Sequence, residues 1–205
     1  MAERAHGAAA AIPAANGAAG ADRRAAHGER ERAGIRSGAA AHPVRSEGGA
    51  SEGPSAAGLR PRFWERFPLE ELTGAEWEAL CDGCGRCCLR KIEYEDTGEV
   101  LYTSVACKLL DHESCRCALY DRRHEFVPDC VRLAPRNLPE VASWMPTSCA
   151  YRLLFEGRPL PEWHPLLSGT FESVVEAGIS MRGKVVSEIT VTDDDLEDYV
   201  IGELS

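Results

Sequence analysis

The first 58 residues lack the side chains from which a folded core is built. They contain no Phe, Trp, Tyr, Leu or Cys, and Met occurs only at position 1, whereas Ala and Gly dominate. Such a segment cannot bury enough apolar surface to offset the conformational entropy that is lost on ordering. The sequence therefore predicts a disordered Ala/Gly-rich tail over residues 1–58 and a folded domain over residues 59–205.

The chain also lacks the features that define several other classes of protein. No apolar run reaches transmembrane length, and none resembles the core of a secretory signal. Gly-rich phosphate loops and the G-x-S-x-G and H-E-x-x-H motifs are absent as well. Residues 59–205 carry 16 Lys and Arg against 27 Asp and Glu, a balance poorly suited to binding phosphate backbones. We therefore expect a cytoplasmic protein that binds neither nucleic acid nor membranes.

Cysteine is the residue that the domain has in excess. Cys81, Cys84, Cys87 and Cys88 form two overlapping C-x-x-C steps, and the interleaved glycines allow a tight loop around a bound ion. The odd total of nine cysteines, and adjacent thiols that would make strained disulfides, favour metal ligation over a disulfide framework. Thiol redox chemistry and buried inert cysteines are the alternatives. The remaining cysteines are Cys107, Cys115, Cys117, Cys130 and Cys149.

The spacing does not separate zinc from iron. Zinc would take four thiolates, or three with a histidine such as His112 or His124, and nine thiols suffice for two such sites with one to spare. The C-x-x-C-x-x-C run also matches the first three ligands of a bacterial ferredoxin, although the usual Cys-Pro is missing. Because adjacent residues project in different directions, Cys87 and Cys88 are expected to serve different sites or to bridge two metals.

Local patterns predict the scaffold that carries these cysteines. Thr73-Gly-Ala-Glu76 is a capping box and predicts a short helix leading to Cys81. A turn at residues 96–98 lies between β-branched and aromatic segments, which predicts a hairpin that returns Cys107 to the first cysteines. Because helices and strands do not alternate regularly, the predicted fold class is α+β: a small single domain with a Cys-rich loop core. Further helices are predicted near residues 118–124, 139–144, 149–156, 172–177 and 196–201, and a strand at 184–191.

Three polar features outside the cysteines have simple structural interpretations. His164 lies between Trp and Pro, a setting typical of a turn. The three aspartates at 193–195 favour a helix N-terminus rather than a cation site. Arg122 and Arg123 are expected to be a pair of surface charges.

The cysteine pattern resembles that of a known family. Cys81-x-x-Cys84-x-x-Cys87-Cys88, followed by Cys107, Cys117-x-x-Tyr120 and Cys130, is similar to the CxxCxxCC family, whose description proposes chelation of zinc or iron. Within that family, the chain resembles an uncharacterised bacterial subfamily over the domain but not over the tail. The resemblance implies metal chelation in a bacterial cytoplasm and no particular activity.

Two functions from different classes stay open at this point. One is a metal-binding protein that chelates zinc or iron, the iron either as an ion or as an iron–sulfur cluster. The other is an iron–sulfur or thiol-dependent redox enzyme, for which the sequence predicts no catalytic residue. The metal is the only partner that the sequence indicates. The predicted metal ligands are Cys81, Cys84, Cys87, Cys88, Cys107, Cys117 and Cys130, with Cys115 and Cys149 as weaker candidates.

Overall fold

The computed structural model describes residues 9–12 and 58–204 of the chain. Its sheet runs in the order β1-β2-β3-β4, and β5 pairs with a different part of β3. The β3–β4 pair is parallel, and the other pairs are antiparallel. The strands are β1 (Ala9–Ile12), β2 (Leu89–Tyr94), β3 (Val100–Ala106), β4 (Val186–Ser187) and β5 (Val200–Gly202).

Short helices make up most of the remaining regular structure, which confirms the α+β class. None of the helices in the described residues is long and apolar enough to span a membrane. The α-helices are α1 (Phe63–Arg66), α2 (Gly74–Ala79), α3 (Arg123–Phe126), α4 (Leu138–Val141), α5 (Ala150–Phe155), α6 (Pro165–Ser168) and α7 (Glu172–Glu176). The 3-10 helices are Leu69–Glu71, Arg86–Cys88, Tyr120–Arg122, Pro135–Asn137, Ala142–Trp144, Glu188–Thr190 and Asp193–Tyr199.

The predicted capping box begins α2 and leads the chain to the first cysteine. The Thr73 hydroxyl accepts the amide hydrogen of Glu76, and the Glu76 carboxylate accepts that of Thr73. Glu76 is fully buried, and the Arg60 guanidinium donates to both of its oxygens at 2.7 Å. This arrangement fixes the start of the helix against the segment that precedes it.

The predicted hairpin is formed by β2 and β3. Gly98 has φ +69°, a conformation that favours glycine, and its amide closes the turn onto the carbonyl of Tyr94 at 2.7 Å. Beyond the hairpin, the amide of Cys107 donates to the carbonyl of Cys88 at 2.9 Å. The hairpin thus returns Cys107 to the cysteine loop, as its pattern predicted.

Two apolar clusters lie on either side of the cysteine region. The helical cluster gathers residues from α1, α4 and α5. The sheet cluster gathers residues from β2, β3, the loop after β3 and the segment after α7. The buried residues of the helical cluster are Phe63, Leu80, Leu138, Val141, Trp144, Met145, Ala150, Tyr151 and Leu160. Those of the sheet cluster are Leu89, Tyr102, Ala106, Leu110, Cys115 and Met181.

The C-terminal part differs from its predicted structure. The strand expected over residues 184–191 is reduced to β4, because β5 occupies the neighbouring stretch of β3, and Ile189 beyond β4 is 76% exposed. The helix expected at 196–201 is instead the 3-10 helix Asp193–Tyr199, which runs into β5. The Thr192 hydroxyl donates to the Asp195 carboxylate and caps no backbone amide.

The boundary between a tail and a domain stays a prediction. Within the predicted tail, Ala9–Ile12 forms β1 and pairs with β2 from Tyr94 to Lys91. Edge pairing of this kind uses main-chain hydrogen bonds, so an alanine-rich segment can supply it without large side chains. The other residues before Gly58 lie outside the described part of the chain.

Candidate metal centre

The first four cysteines lie on a tight loop between α2 and β2. Gly83 and Gly85 have φ of +68° and +79°, in the left-handed region that side chains rarely adopt. A Cβ at Gly83 would lie 2.9 Å from the Arg116 guanidinium, and one at Gly85 would lie 3.3 Å from the Cys115 sulfur. The positive φ of both residues therefore favours glycine, and the segment that follows the hairpin packs closely against them.

All nine cysteines line one cavity of about 550 Å³ between the two apolar clusters. The structure thus brings every predicted ligand to a single place, including the two weaker candidates. In the described residues, however, no three Cys, His, Asp or Glu side chains meet closely enough to hold one ion. The cysteines on its wall are Cys81, Cys84, Cys87, Cys88, Cys107, Cys115, Cys117, Cys130 and Cys149.

Four of the thiols form a first neighbourhood, which we call the loop set: Cys81, Cys84, Cys87 and Cys149. Burial is the main cause of the raised pKa of Cys84, and the charges of Asp82, Cys87 and Cys149 add to it. Burial likewise raises the pKa of Cys149, with further contributions from Asp82 and Cys87. Cys149 was a weaker candidate in the sequence, and the structure places it within electrostatic reach of Cys84 and Cys87.

Four further thiols interact electrostatically with one another, and we call them the hairpin set: Cys88, Cys107, Cys117 and Cys130. Cys130 also interacts with Cys87 of the loop set. Burial is the main cause of the raised pKa of Cys107, and the charges of Cys130 and Cys117 add to it. The carbonyl of Cys88 accepts the Cys107 amide, as described above. This set therefore joins the loop, the end of the hairpin and the polar segment beyond it.

Cys87 and Cys88 connect the two sets. From their adjacency we expected the two side chains to project in different directions. Their sulfurs lie only 3.9 Å apart, so both thiols face the same space. The hydrogen bond from Cys88 lowers the pKa of the Cys87 thiol and raises that of its donor. Lys91 contributes a positive charge beside both thiols.

Lys91 is a buried cation that sequence reasoning missed. It is 1% exposed, and its ammonium donates to the carbonyls of Cys87 and Leu89 at 3.1 and 2.8 Å. The ammonium lies 5.1 Å from the ring centroids of both Tyr102 and Trp144. Burial lowers the pKa of Lys91 to about 8, although the neighbouring thiolates oppose the shift.

Two positively charged arginines also line the cavity wall beside the thiols. Arg116 lies with a guanidinium nitrogen 3.7 Å from the Cys81 sulfur. Arg123 is 8% exposed and donates to the carbonyl of Tyr120, so the expectation that it is a surface charge is wrong. Arg122 is exposed and paired with Glu125, as expected for a surface residue.

Cys115 is held differently from the other eight cysteines. It is 4% exposed, packs in the sheet cluster and accepts a hydrogen bond from the Ser180 hydroxyl at 3.7 Å. Its backbone has φ +53°, an uncommon conformation for a residue with a side chain. This sulfur already has a polar partner and an apolar environment of its own.

The histidines considered as zinc ligands do not line the cavity. Neither His112 nor His124 is among its wall residues. His164 is fully buried, and its ring nitrogens bond the carbonyl of Leu80 at 3.1 Å and the amide of Leu166 at 3.2 Å. His164 is therefore the N-cap of α6, in agreement with its predicted structural role.

Two buried polar atoms of cavity residues have no hydrogen-bond partner within the described chain. They are Oδ2 of Asp82, which belongs to the cysteine loop, and Nε1 of Trp144. Buried polar atoms normally have partners because leaving them unpaired costs free energy. An unpaired carboxylate oxygen among several thiols is compatible with a bound cation, and the thiol-rich donor set fits a thiophilic metal.

The comparisons with known proteins agree with this donor set. A family model described as "Putative zinc- or iron-chelating domain" matches residues 80–150, which include all nine cysteines. A UPF0260 protein of Rhodobacter capsulatus is 61% identical over 146 residues, which cover 71% of this chain and 97% of the relative. The chain belongs to the UPF0260 family.

Further members come from other bacteria. A UPF0260 protein of Rhizobium leguminosarum is 58% identical over 68% of this chain and 86% of its own length. One of Parvibaculum lavamentivorans is 55% identical over 68% of this chain and 90% of its own length. No solved structure matches the chain.

Proposed function

We propose that this UPF0260 protein binds a polynuclear metal centre through two adjoining sets of cysteine thiolates. The observation that carries the proposal is that all nine cysteines line one cavity, together with a buried carboxylate whose Oδ2 has no partner among the described residues. A single four-coordinate ion would use fewer than half of these thiols. Two sets of four, joined at Cys87 and Cys88, fit a centre with more than one metal atom.

An iron–sulfur cluster is the form of centre that the geometry supports best. A mononuclear zinc ion draws its thiolates to within about 4 Å of one another, because each sulfur lies about 2.3 Å from the metal. In the described residues the donors instead surround a cavity without converging on one point. A cluster supplies its own iron and sulfide to fill such a space, and it would give the protein a one-electron redox group. Nε1 of Trp144 has no partner among the described residues and would be a donor for a sulfur atom of the centre.

Zinc is favoured by one contact. The 3.9 Å separation of the Cys87 and Cys88 sulfurs matches the edge of a zinc–thiolate tetrahedron, about 4 Å. Two zinc ions that share these adjacent thiols would be structural, since sites closed by four thiolates leave no position for substrate.

A metal-free redox enzyme is the second candidate function. The lowered pKa of Cys87, caused first by its hydrogen bond with Cys88 and then by Lys91, increases the thiolate fraction at neutral pH. Against it, adjacent cysteines form strained disulfides, and seven further thiols in the same cavity would have no role.

The test is the composition of the full chain purified without oxygen. We expect more than one metal atom per chain, measured by elemental analysis together with acid-labile sulfide and the visible spectrum. Iron with sulfide and visible absorption would identify a cluster, and two colourless zinc ions would identify the dinuclear alternative. A single metal ion would contradict the polynuclear centre. No metal, with Cys87 readily alkylated, would favour the redox enzyme.

A further inference from the structure

Asp82, in the cysteine loop, has a buried carboxylate that is only partly hydrogen-bonded. It is 6% exposed, and its Oδ1 accepts the backbone amide of Cys84 at 2.9 Å. This bond is an Asx turn and accounts for one of the two oxygens. The other, Oδ2, is fully enclosed and has no partner among the described residues.

No hydrogen-bond donor among the described residues reaches Oδ2 of Asp82. Arg116 contacts the loop set through the Cys81 sulfur, 3.7 Å from a guanidinium nitrogen. Lys91 donates to two backbone carbonyls. His164 lies within electrostatic reach, but burial lowers its pKa and both of its ring nitrogens are engaged elsewhere. None of these groups bonds to Oδ2 of Asp82.

The same carboxylate is surrounded by thiols of the loop set. Asp82 follows Cys81 directly and precedes Cys84 by two residues, and its charge also reaches Cys149. Several anionic groups at close quarters, away from water, are tolerated when they share a cation. Carboxylate oxygen is an accepted ligand of zinc and of iron beside softer donors.

We propose that Asp82 is an oxygen ligand of the metal centre, bound through Oδ2 beside the loop-set thiolates. This inference rests on the proposed function and assigns a ligand that lies outside the cysteine motif. It makes the centre a mixed sulfur and oxygen site, in which the metal atom nearest Asp82 differs from atoms held by thiolate alone.

Two substitutions separate ligation from the Asx turn. Asp82→Asn keeps the size of the side chain and an oxygen that can accept the Cys84 amide, but it removes the carboxylate. Asp82→Ala removes both. Asp121→Asn is the matched control, because Asp121 also lines the cavity but is exposed. If Asp82 only holds the turn, the asparagine variant should behave as the wild type.

The experiment uses the full chain with the metal that it carries when purified without oxygen. X-ray absorption at the edge of that metal should show an oxygen neighbour at roughly 2.0–2.2 Å in addition to sulfur. Against a competing chelator, Asp82→Asn and Asp82→Ala should both lose metal at least about 10-fold more readily, since even the loss of an outer-shell partner costs that much. Asp121→Asn should retain metal as the wild type does.

The outcomes distinguish the two proposals. Wild-type protein with metal bound by sulfur alone would overturn the role of Asp82 and leave the polynuclear centre standing. If Asp82→Asn retains metal while Asp82→Ala loses it, Asp82 only holds the Asx turn and is not a ligand. Wild-type protein without metal would overturn the proposed function itself. If neither variant folds, the oxygen neighbour in the wild-type spectrum decides the question.

Discussion

The helical cluster and the segment from Cys107 to Cys130 are stabilised by different means. The first is held together by the packing of nine buried side chains. The second buries few apolar side chains: Leu110 and Cys115 are its buried hydrophobic residues after Cys107, whereas Leu119, Tyr120 and Phe126 are exposed large ones. On the proposed function, we therefore expect metal ligation to take the place of an apolar core in the second region.

Loss of a thiol from either set should have the largest effect on metal binding. We expect Cys84→Ser and Cys130→Ser each to lower bound metal severely, because serine keeps the approximate size but is a poor ligand for soft metals. Cys149→Ser should do the same, because Cys149 belongs to the loop set. Metal per chain, measured by elemental analysis, is the readout.

Cys115→Ser is the internal control for that series. Cys115 lines the same cavity but packs in the sheet cluster and bonds Ser180, so its loss should leave the metal content unchanged. If all four variants lose metal equally, Cys115 cannot be distinguished from the proposed ligands.

A cavity in the helical cluster should separate stability from metal binding. Leu138 is fully buried at the start of α4. Leu138→Ala should lower the free energy of unfolding by about 2–5 kcal/mol, as expected for truncation of a buried leucine. Denaturant unfolding gives this value, and the folded variant should keep its full metal content. Metal loss in the folded variant would show that the two regions are not independent.

The charge of Glu76 offers a smaller, pH-dependent test of the same region. The hydrogen bonds from Arg60 are the main cause that lowers its pKa from 4.5 to about 2. When the pKa of a carboxyl is lower in the folded state than in the unfolded state, the group stabilises the fold at pH values above the unfolded-state pKa. This stabilisation is lost as the pH falls through the folded-state pKa. The stability difference between wild type and Glu76→Gln should therefore be full above about pH 5 and shrink toward pH 2. Urea unfolding of metal-free protein measures it without interference from acid release of metal, and a constant difference would contradict the ion pair.

Removal of residues 1–58 should have the smallest effect. The segment contains no cysteine, and the part of it that the structure describes contributes a four-residue strand at the edge of β2. We expect unchanged metal content and an unchanged melting temperature. A clear fall in melting temperature would show that β1 stabilises the sheet, and a fall in metal content would show that the tail supports the centre.

The sequence predicted best those structures that depend on residues close together in the chain. The capping box at Thr73 and the hairpin turn at Gly98 involve residues close in sequence, and both are present. The cysteine loop was likewise evident, because four thiols and two glycines are concentrated in it.

Features that depend on distant contacts could not be predicted in the same way. Lys91 lies on a strand, where a lysine normally faces water, and its burial depends on the rings of Tyr102 and Trp144. Cys149 precedes an apolar helix, and only packing of α5 brings it beside the loop. Asp82 occupied a variable position of a C-x-x-C step, and only its enclosure distinguished it.

Hydrogen exchange before and after metal removal tests the central claim most directly. With the metal bound, amides in both regions should be protected. After chelation under reducing conditions, residues 107–130 should exchange rapidly, while the buried helices α4 and α5 should retain most of their protection. Unchanged protection over residues 107–130, after metal removal has been confirmed by elemental analysis, would contradict the claim that metal ligation holds this segment in place.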